Sequence, residues 1–385
     1  VATALSEKLI SLRGRVAHFA QEYISCRDDL QSLDGIPKDL WDKMGEDNLL
    51  GLSLPTEYGG LGGNYLSMAV AGETLVRKGH NMGIAVSWLT HLNVARFLIM
   101  GFGSKTQLDL YLKGLAGGKK TACIAVSEPG RGAHPKYIET SGYRNGDFYI
   151  LNGEKAYLTN GPMADLFIVI ASTGIDEGRK RFSAFLIPKE TTGLSLTKPM
   201  KFDFFRPSPH GGIKLSNCSV PASNILGEEG SAYEDMVKPF RDVEDALMMG
   251  PLVGAMGRQV ELLLNLFEKN CVDITDELKK DMGDMQSIIH TLRIVAYEAA
   301  SVLDSPVRHA EFYSLLISSR NLARQFQDLF EFVIKRAGIE QDNDLYVSSN
   351  DLVHGIDSGK RIALIKLKKL GERLLSRKDS DEHAP

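Results

Sequence analysis

The period of the apolar residues changes twice along this chain, and that change constrains the fold more than any single residue. Up to residue 118, stretches such as LISLRGRVAHFAQEYI and GIAVSWLTHLNVARFLIM carry apolar groups three and four apart, the spacing of one helix face. Gly and Pro clusters at 51–63 divide these helices into two groups. From 119 to 228 the period drops to two. FYILNGEKAYL, LFIVIAS, FSAFLIP and GIKLSN are short runs bounded by Gly, Pro, Asn and Asp, as in a small β-domain. After Gly230 the helical spacing returns: Ile288, Leu292, Val295, Ala299 and Val302 alternate four and three apart, as do Leu322, Phe326, Leu329 and Val333. Both stripes read as bundle core. Gly338, behind Lys335 and Arg336, reads as a helix stop. The expected class is α+β, with a helical domain over 1–118, a β-barrel or sandwich over 119–228 and a four-helix bundle over 229–385, closed by the polar tail SRKDSDEHAP.

Composition narrows the options. At 385 residues and 43% hydrophobic, the chain can bury the cores of two or three domains. A net charge of −4 argues against a nucleic-acid surface. No apolar run approaches the roughly 20 residues of a membrane span, and the start lacks the basic-then-apolar shape of a secretory signal. A cytoplasmic protein is expected; the opening Val1 leaves a processed organellar form open. Cys26, Cys123, Cys218 and Cys271 lack metal-ligand spacing and read as reduced packing thiols, with no metal site.

Two segments stand out within the period-two region. TACIAV runs into SEPGRGAH (127–134), and LNGEKAYLTNG follows at 151–161. Asn152-Gly153 reads as a hairpin turn, after which Tyr157 and Thr159 lie two apart on one strand and face the same way. An aromatic ring and hydroxyls at strand ends make a flat, hydrogen-bonding wall suited to a planar cofactor. The same pair is also ordinary in hairpins with no function.

The order of four blocks carries more weight. PTEYGGLGGNYLSMAVAGETLVR, FGSKTQLDLYLKGLAGGKKTACIAVSEPGRG, GDFYILNGEKAYLTNGPMADLFIVIAS and the FSAFLIPKETTGLSL to SNCSVPASNILGEEG stretch follow one another over most of residues 40–235. In this succession the chain resembles the acyl-CoA dehydrogenase family, flavoproteins that desaturate acyl thioesters. The resemblance implies FAD, an acyl thioester substrate on coenzyme A or a carrier protein, tetramers built from dimers, and an electron acceptor such as an electron-transfer flavoprotein.

Desaturation removes an α-proton while hydride leaves the β-carbon, so it needs a carboxylate desolvated enough to be a base. Most of the family carries a Glu before a Gly near the carboxy terminus; here Leu352-Val353-His354-Gly355-Ile356 puts His354 in that place. A branch resembling isovaleryl-CoA dehydrogenase carries it instead on the first long helix of the last domain. In FRDVEDALMMGPLVGAMGRQVE Glu244 matches that residue, with the Gly-Pro one position out of register. Glu244 and His354 are both candidates. The acidic cluster Asp242, Glu244 and Asp245 also reads as a solvated helix start. His354 could alternatively donate its backbone N–H to a thioester carbonyl.

At the flavin, the resemblance assigns Ser127 to the edge of the isoalloxazine ring, Ile124 and Val126 to adjacent backbone, Tyr157 to the ring face and Thr159 to the region of N5. The opposite end of the cofactor is depleted. No Arg falls between Arg258 and Arg293, where the family carries an arginine for the pyrophosphate; KRAGIEQDND replaces its double glycine, and Ile356 and Ser358 replace a Thr-x-Glu pair. Ala133 and His134 stand where Ser-Asp is usual, and Asp245 where an Arg follows, a change that would repel a phosphate of the substrate handle. Gly355 completes the expected substrate contacts. The leading expectation is therefore FAD-linked α,β-dehydrogenation of an acyl thioester. Its rivals are a flavin-contact-depleted subunit of a hetero-oligomer and a flavin-free relative.

Overall fold

The computed structural model describes residues 5–305, 310–340 and 342–375, so the polar tail at 376–385 lies outside them. Helices α1 (Glu7–Tyr23), α2 (Lys38–Glu46), α3 (Tyr65–Gly79), α4 (Met82–Asn93) and α5 (Lys105–Ala116) precede the strands. Side-chain caps start all of them but α2: Ser6 accepts from the Leu9 N–H, Asn64 and Ser104 form capping boxes with Ser67 and Gln107, and Asn81 accepts from the Ile84 N–H. By length and composition Met82–Met100 could cross a bilayer, contrary to the sequence expectation, but 83% of it is buried inside the fold. Its apolarity belongs to the core.

Strands β1 (Ala122–Ala125), β2 (Ser141–Asn145), β3 (Phe148–Thr159), β4 (Leu166–Asp176), β5 (Arg179–Pro188), β6 (Leu194–Leu196), β7 (His210–Pro221) and β8 (Ile225–Leu226) form one mixed sheet. Its order is β6-β7-β3-β2-β4-β5-β8, with β1 parallel to β4. Tyr149 and Leu158 from β3, Phe167 from β4, Phe185 from β5 and Ile213 from β7 share one core, so the sheet coils over on itself. The expected hairpin at Asn152-Gly153 is absent. β3 runs straight through it with a bulge between Leu151 and Gly153, and the turn falls at Asn145-Gly146, where Asn145 pairs with Phe148. Gly146 has φ +63, the left-handed conformation that such a turn needs. The chain carries three Asn-Gly pairs, at 145–146, 152–153 and 160–161, and only the first, with strands of matching register on either side, folds back into a hairpin.

Helices α6 (Lys238–Lys269), α7 (Asp276–Leu303), α8 (Ala310–Arg336) and α9 (Asn343–Asp357) form the bundle, and α10 (Lys360–Leu375) lies against α8 as a fifth helix. One apolar core joins α1–α4 to the bundle. The α3–α6 crossing is tight: a Cβ at Gly250 would stand 2.5 Å from the Ala69 carbonyl oxygen, and one at Gly254 2.3 Å from that of Glu73. Glycine there lets α6 lie against α3, which fixes where the acidic second turn of α6 emerges. α8 ends at Arg336, and Gly338 follows at φ +65.

Candidate active site

All ten residues singled out from the sequence line one cavity of about 690 Å³ between the sheet and the bundle. Ile124, Val126, Ser127, Ala133, Tyr157 and Thr159 come from the sheet side; Glu244, Asp245, His354 and Gly355 come from α6 and α9. A second cavity of about 350 Å³, lined by His80, Arg258 and Asp344 among others, contains none of them.

The sheet wall is built locally. β1 delivers Ile124, and the chain then turns at Glu128, whose carboxylate accepts from the backbone N–H groups of Glu139 and Thr140 (both 2.8 Å) and the Thr140 hydroxyl (2.6 Å). Buried Lys155 donates to Glu128 (3.1 Å) and to the Val126 carbonyl (2.9 Å), while the Ala156 N–H reaches the Ser127 carbonyl at 2.9 Å. Burial pulls the Lys155 ammonium down to about 8, against the pull of Glu128. These bonds pin the Ser127 turn to β3. Tyr157 sits at φ +62 within a bulge of β3, and 54% of it is exposed. An L-residue held in that conformation outside glycine is uncommon and over-determined by its surroundings.

The helical wall is built from distant segments. Glu244 exposes surface that forms cavity wall, and it has no hydrogen-bond or ion-pair partner among the described residues. Burial pushes its carboxyl up to about 7, with Asp245 adding and Arg241 opposing. The surface it exposes lies on the wall of the cavity between sheet and bundle, which is partly open to solvent. Asp245 meets Arg320 at 2.6 Å and Lys366 at 3.5 Å, and Lys366 meets Asp242 at 2.6 Å. The acidic cluster is therefore a half-buried ion network, not a solvated helix start. The expectation that Asp245 repels a phosphate loses its basis too, because two cations neutralise it. Burial nonetheless raises the Asp245 carboxyl, with Arg320 and Lys366 opposing.

Arg320 also donates to the carbonyls of Ile356 (2.7 Å) and Ser358, tying α8 to the end of α9. His354 lies inside α9, so its backbone N–H is committed to the helix and cannot serve a thioester carbonyl. Its ring stacks on Phe204 with centroids 3.8 Å apart and planes 12° apart, and Nδ1 donates to the Asn350 carbonyl at 2.9 Å. Nε2 stays available to the cavity. Asp351 accepts from the Phe205 N–H at 2.6 Å, and Asn350 donates to the Asp203 carbonyl at 2.9 Å. The segment carrying Phe202, Phe204 and Phe205 is thus anchored to α9 as an aromatic wall.

Sequence reasoning missed Arg241, His210, Arg320 and Lys366. Arg241 lines the cavity and donates to the Ala133 carbonyl at 3.2 Å, to which the Tyr233 hydroxyl also donates at 3.0 Å. Its position one turn before Glu244 was the one available signal. Nothing local marks the others.

Helices, a coiled sheet and a helix bundle in that order, with a cavity where sheet and bundle meet, define the acyl-CoA dehydrogenase fold. Residues 6–119 match the acyl-CoA dehydrogenase N-terminal domain and residues 123–218 its middle domain. The mitochondrial isovaleryl-CoA dehydrogenase of Solanum tuberosum is 33% identical over 276 residues, which is 71% of this chain and 65% of that protein, so the match spans less than two thirds of its length. A 3-(aryl)acrylate reductase of Clostridium sporogenes (strain ATCC 15579) is 31% identical over 298 residues, 76% of this chain and 78% of that protein. The crystal structure of the prolyl acyl carrier protein oxidase AnaB superposes with a TM-score of 0.83 at 26% identity, covering 96% of this chain and 100% of that one. The chain belongs to the acyl-CoA dehydrogenase family.

Proposed function

We propose that this chain carries out FAD-linked α,β-dehydrogenation of an acyl thioester, with Glu244 as the base that removes the α-proton. The supporting observation is a carboxylate without a partner, pushed up to about 7 by burial, in the cavity that also holds Ser127, Tyr157 and Thr159. A base poised near the working pH suits a weakly acidic proton. The residues present fit the ring of the flavin: one wall combines a ring, two hydroxyls and the ends of β1 and β3, and the volume lies within the roughly 300–1,000 Å³ of small-molecule sites. Ile124, Val126, Ser127, Tyr157 and Thr159 would hold the isoalloxazine. When bound, the flavin supplies the acceptor for the β-hydride.

On taking the proton Glu244 becomes neutral, the form that its surroundings favour. Phe202, Phe204, Phe205, Phe240 and Met248 line the same cavity and make its wall around the carboxylate largely apolar. Ala133, Asp245 and Gly355 border the path of the thioester handle, and His354 is the alternative base. The domain divisions at 118/119 and 228/229, and oligomers with reoxidation by an electron-transfer flavoprotein, belong to this same reading. Glu244→Gln should slow exchange of substrate α-protons with deuterated water by about 10²–10⁴. Unchanged exchange in that variant would reject Glu244, and His354→Ala would be next.

A second reading concerns the dinucleotide end. Arg336, in the region of the lost double glycine, is taken up by Asp281 at 3.1 Å. An unlike partner subunit would then supply the pyrophosphate contacts, in a hetero-oligomer; a homo-oligomer is the alternative. Two lost charge-assisted bonds, each worth about 1.5–3 kcal/mol, would weaken FAD by roughly two to four powers of ten. Flavin per chain after gel filtration decides: one tightly held FAD in a homo-oligomer contradicts depletion. For the handle, comparable rates with acyl-pantetheine and acyl-CoA support a carrier-bound substrate, and a strong preference for acyl-CoA assigns free coenzyme A.

A further inference from the structure

Thr159 ends β3 directly opposite His210, the first residue of β7, and both side chains line the cavity. The His210 ring is held on three sides. Nδ1 stands 3.0 Å from the Ser208 carbonyl oxygen, Nε2 stands 3.2 Å from the Thr159 hydroxyl, and Phe202 meets the ring edge-on with centroids 5.2 Å apart at 83°. A carbonyl oxygen can only accept, so Nδ1 must carry the hydrogen. Burial lowers the His210 imidazole from its ordinary value, so the ring is neutral near pH 7 and Nε2 is bare. Only the hydroxyl of Thr159 can then supply the hydrogen between them. A threonine hydroxyl has one hydrogen to give. Once it is spent on His210, Thr159 presents lone pairs to the cavity and no donor.

We propose that His210 is a positioning residue that fixes Thr159 as a hydrogen-bond acceptor and thereby biases a bound flavin toward its reduced form. The inference rests on the flavin reading above. An oxidised isoalloxazine offers a bare ring nitrogen that wants a donor, whereas two-electron reduction turns that nitrogen into an N–H that wants an acceptor. A wall that can only accept matches the reduced ring. Resemblance alone would make Thr159 an ordinary hydroxyl, free to donate or accept; the pair across β3 and β7 removes that freedom.

The midpoint potential of the bound flavin tests the bias. His210→Phe frees the Thr159 hydrogen and should cut the preference for reduced over oxidised flavin about tenfold, a fall of about 30 mV for a two-electron couple. His210→Gln, whose amide oxygen can still accept, should restore most of it, and His210→Phe should add nothing in a Thr159→Val background. An unchanged potential in His210→Phe, or a shift that persists in the Thr159→Val background, would overturn the proposal. The relay has a separate readout in the full chain stripped of flavin and labelled with nitrogen-15 histidine. The His210 signals, assigned by difference from His210→Phe, should show hydrogen on Nδ1 and a bare Nε2. Hydrogen on Nε2 overturns the relay. A preparation that binds no flavin overturns the flavin reading and the bias with it, while the nitrogen signals still decide the relay.

Discussion

The two walls of the cavity are built in opposite ways. The sheet wall comes from two short segments, 124–133 and 156–159, pinned by the ion pair of Lys155 and Glu128 (3.1 Å) and by the Ala156 N–H on the Ser127 carbonyl. The helical wall gathers α6, α8, α9, α10 and the Phe202–Phe205 segment, and holds them through Asp242, Asp245, Arg320 and Lys366. In the sheet wall the buried carboxylate is over-supplied with donors. In the helical wall one carboxylate, Glu244, has no partner among the described residues, while its neighbour Asp245 is tied to two cations. On the proposed function, that contrast separates a rigid surface suited to a flat ring from a surface carrying an unpaired carboxylate close to its titration point.

If the contrast is real, the two ion pairs should respond differently to loss of the cation. Arg320→Met leaves Asp245 with only the longer contact to Lys366 (3.5 Å) and frees the carbonyls of Ile356 and Ser358, so it should cost about 3–5 kcal/mol in denaturant unfolding. Asp245→Asn in the same chain should recover much of that. Lys155→Met is expected to cost less, about 1–3 kcal/mol, because Glu128 keeps three donors from Glu139 and Thr140. Equal losses would erase the distinction between the walls. The smallest effect is expected at the aromatic stack: Phe204→Ala removes the ring lying on His354 and should lose about 0.5–1.5 kcal/mol beyond its buried area. If Phe204→Ala has no effect on unfolding, the stack does not hold the segment to α9.

Legibility in the sequence follows the same division. The change of hydrophobic period marked the succession of helices, sheet and bundle, because each period reports which face of a local element is buried. The sheet wall was legible as well, since Ser127, Tyr157 and Thr159 sit in two short contiguous segments, although the bulge that turns Tyr157 was not. Glu244 was found through a block match, although its unpaired state was not. Arg320, His210 and Phe204 reach the cavity, and Lys366 reaches Asp242 and Asp245 beside it, through pairings 36 to 124 residues apart or through packing, and no local pattern encodes such distances. The hairpin misplaced at Asn152-Gly153 has the same origin: Asn145-Gly146 carries the same turn signal, and register with β2 and β7 chooses between them. Asp245 was misjudged for want of its partners, because a carboxylate's effect on a phosphate depends on the cations already beside it.

The unpaired carboxylate is the centre of the account, and the pH dependence of substrate α-proton exchange tests it most directly. A carboxylate can act as a base only when ionised, and the surroundings of Glu244 hold it near 7 rather than in the usual carboxylate range. Exchange should therefore be weak at pH 5, rise through about pH 7 and level off above, and Glu244→Gln should lose both the rate and that inflection. A wild-type profile already flat from pH 5 upward, or an inflection near 7 that survives in Glu244→Gln, would contradict it.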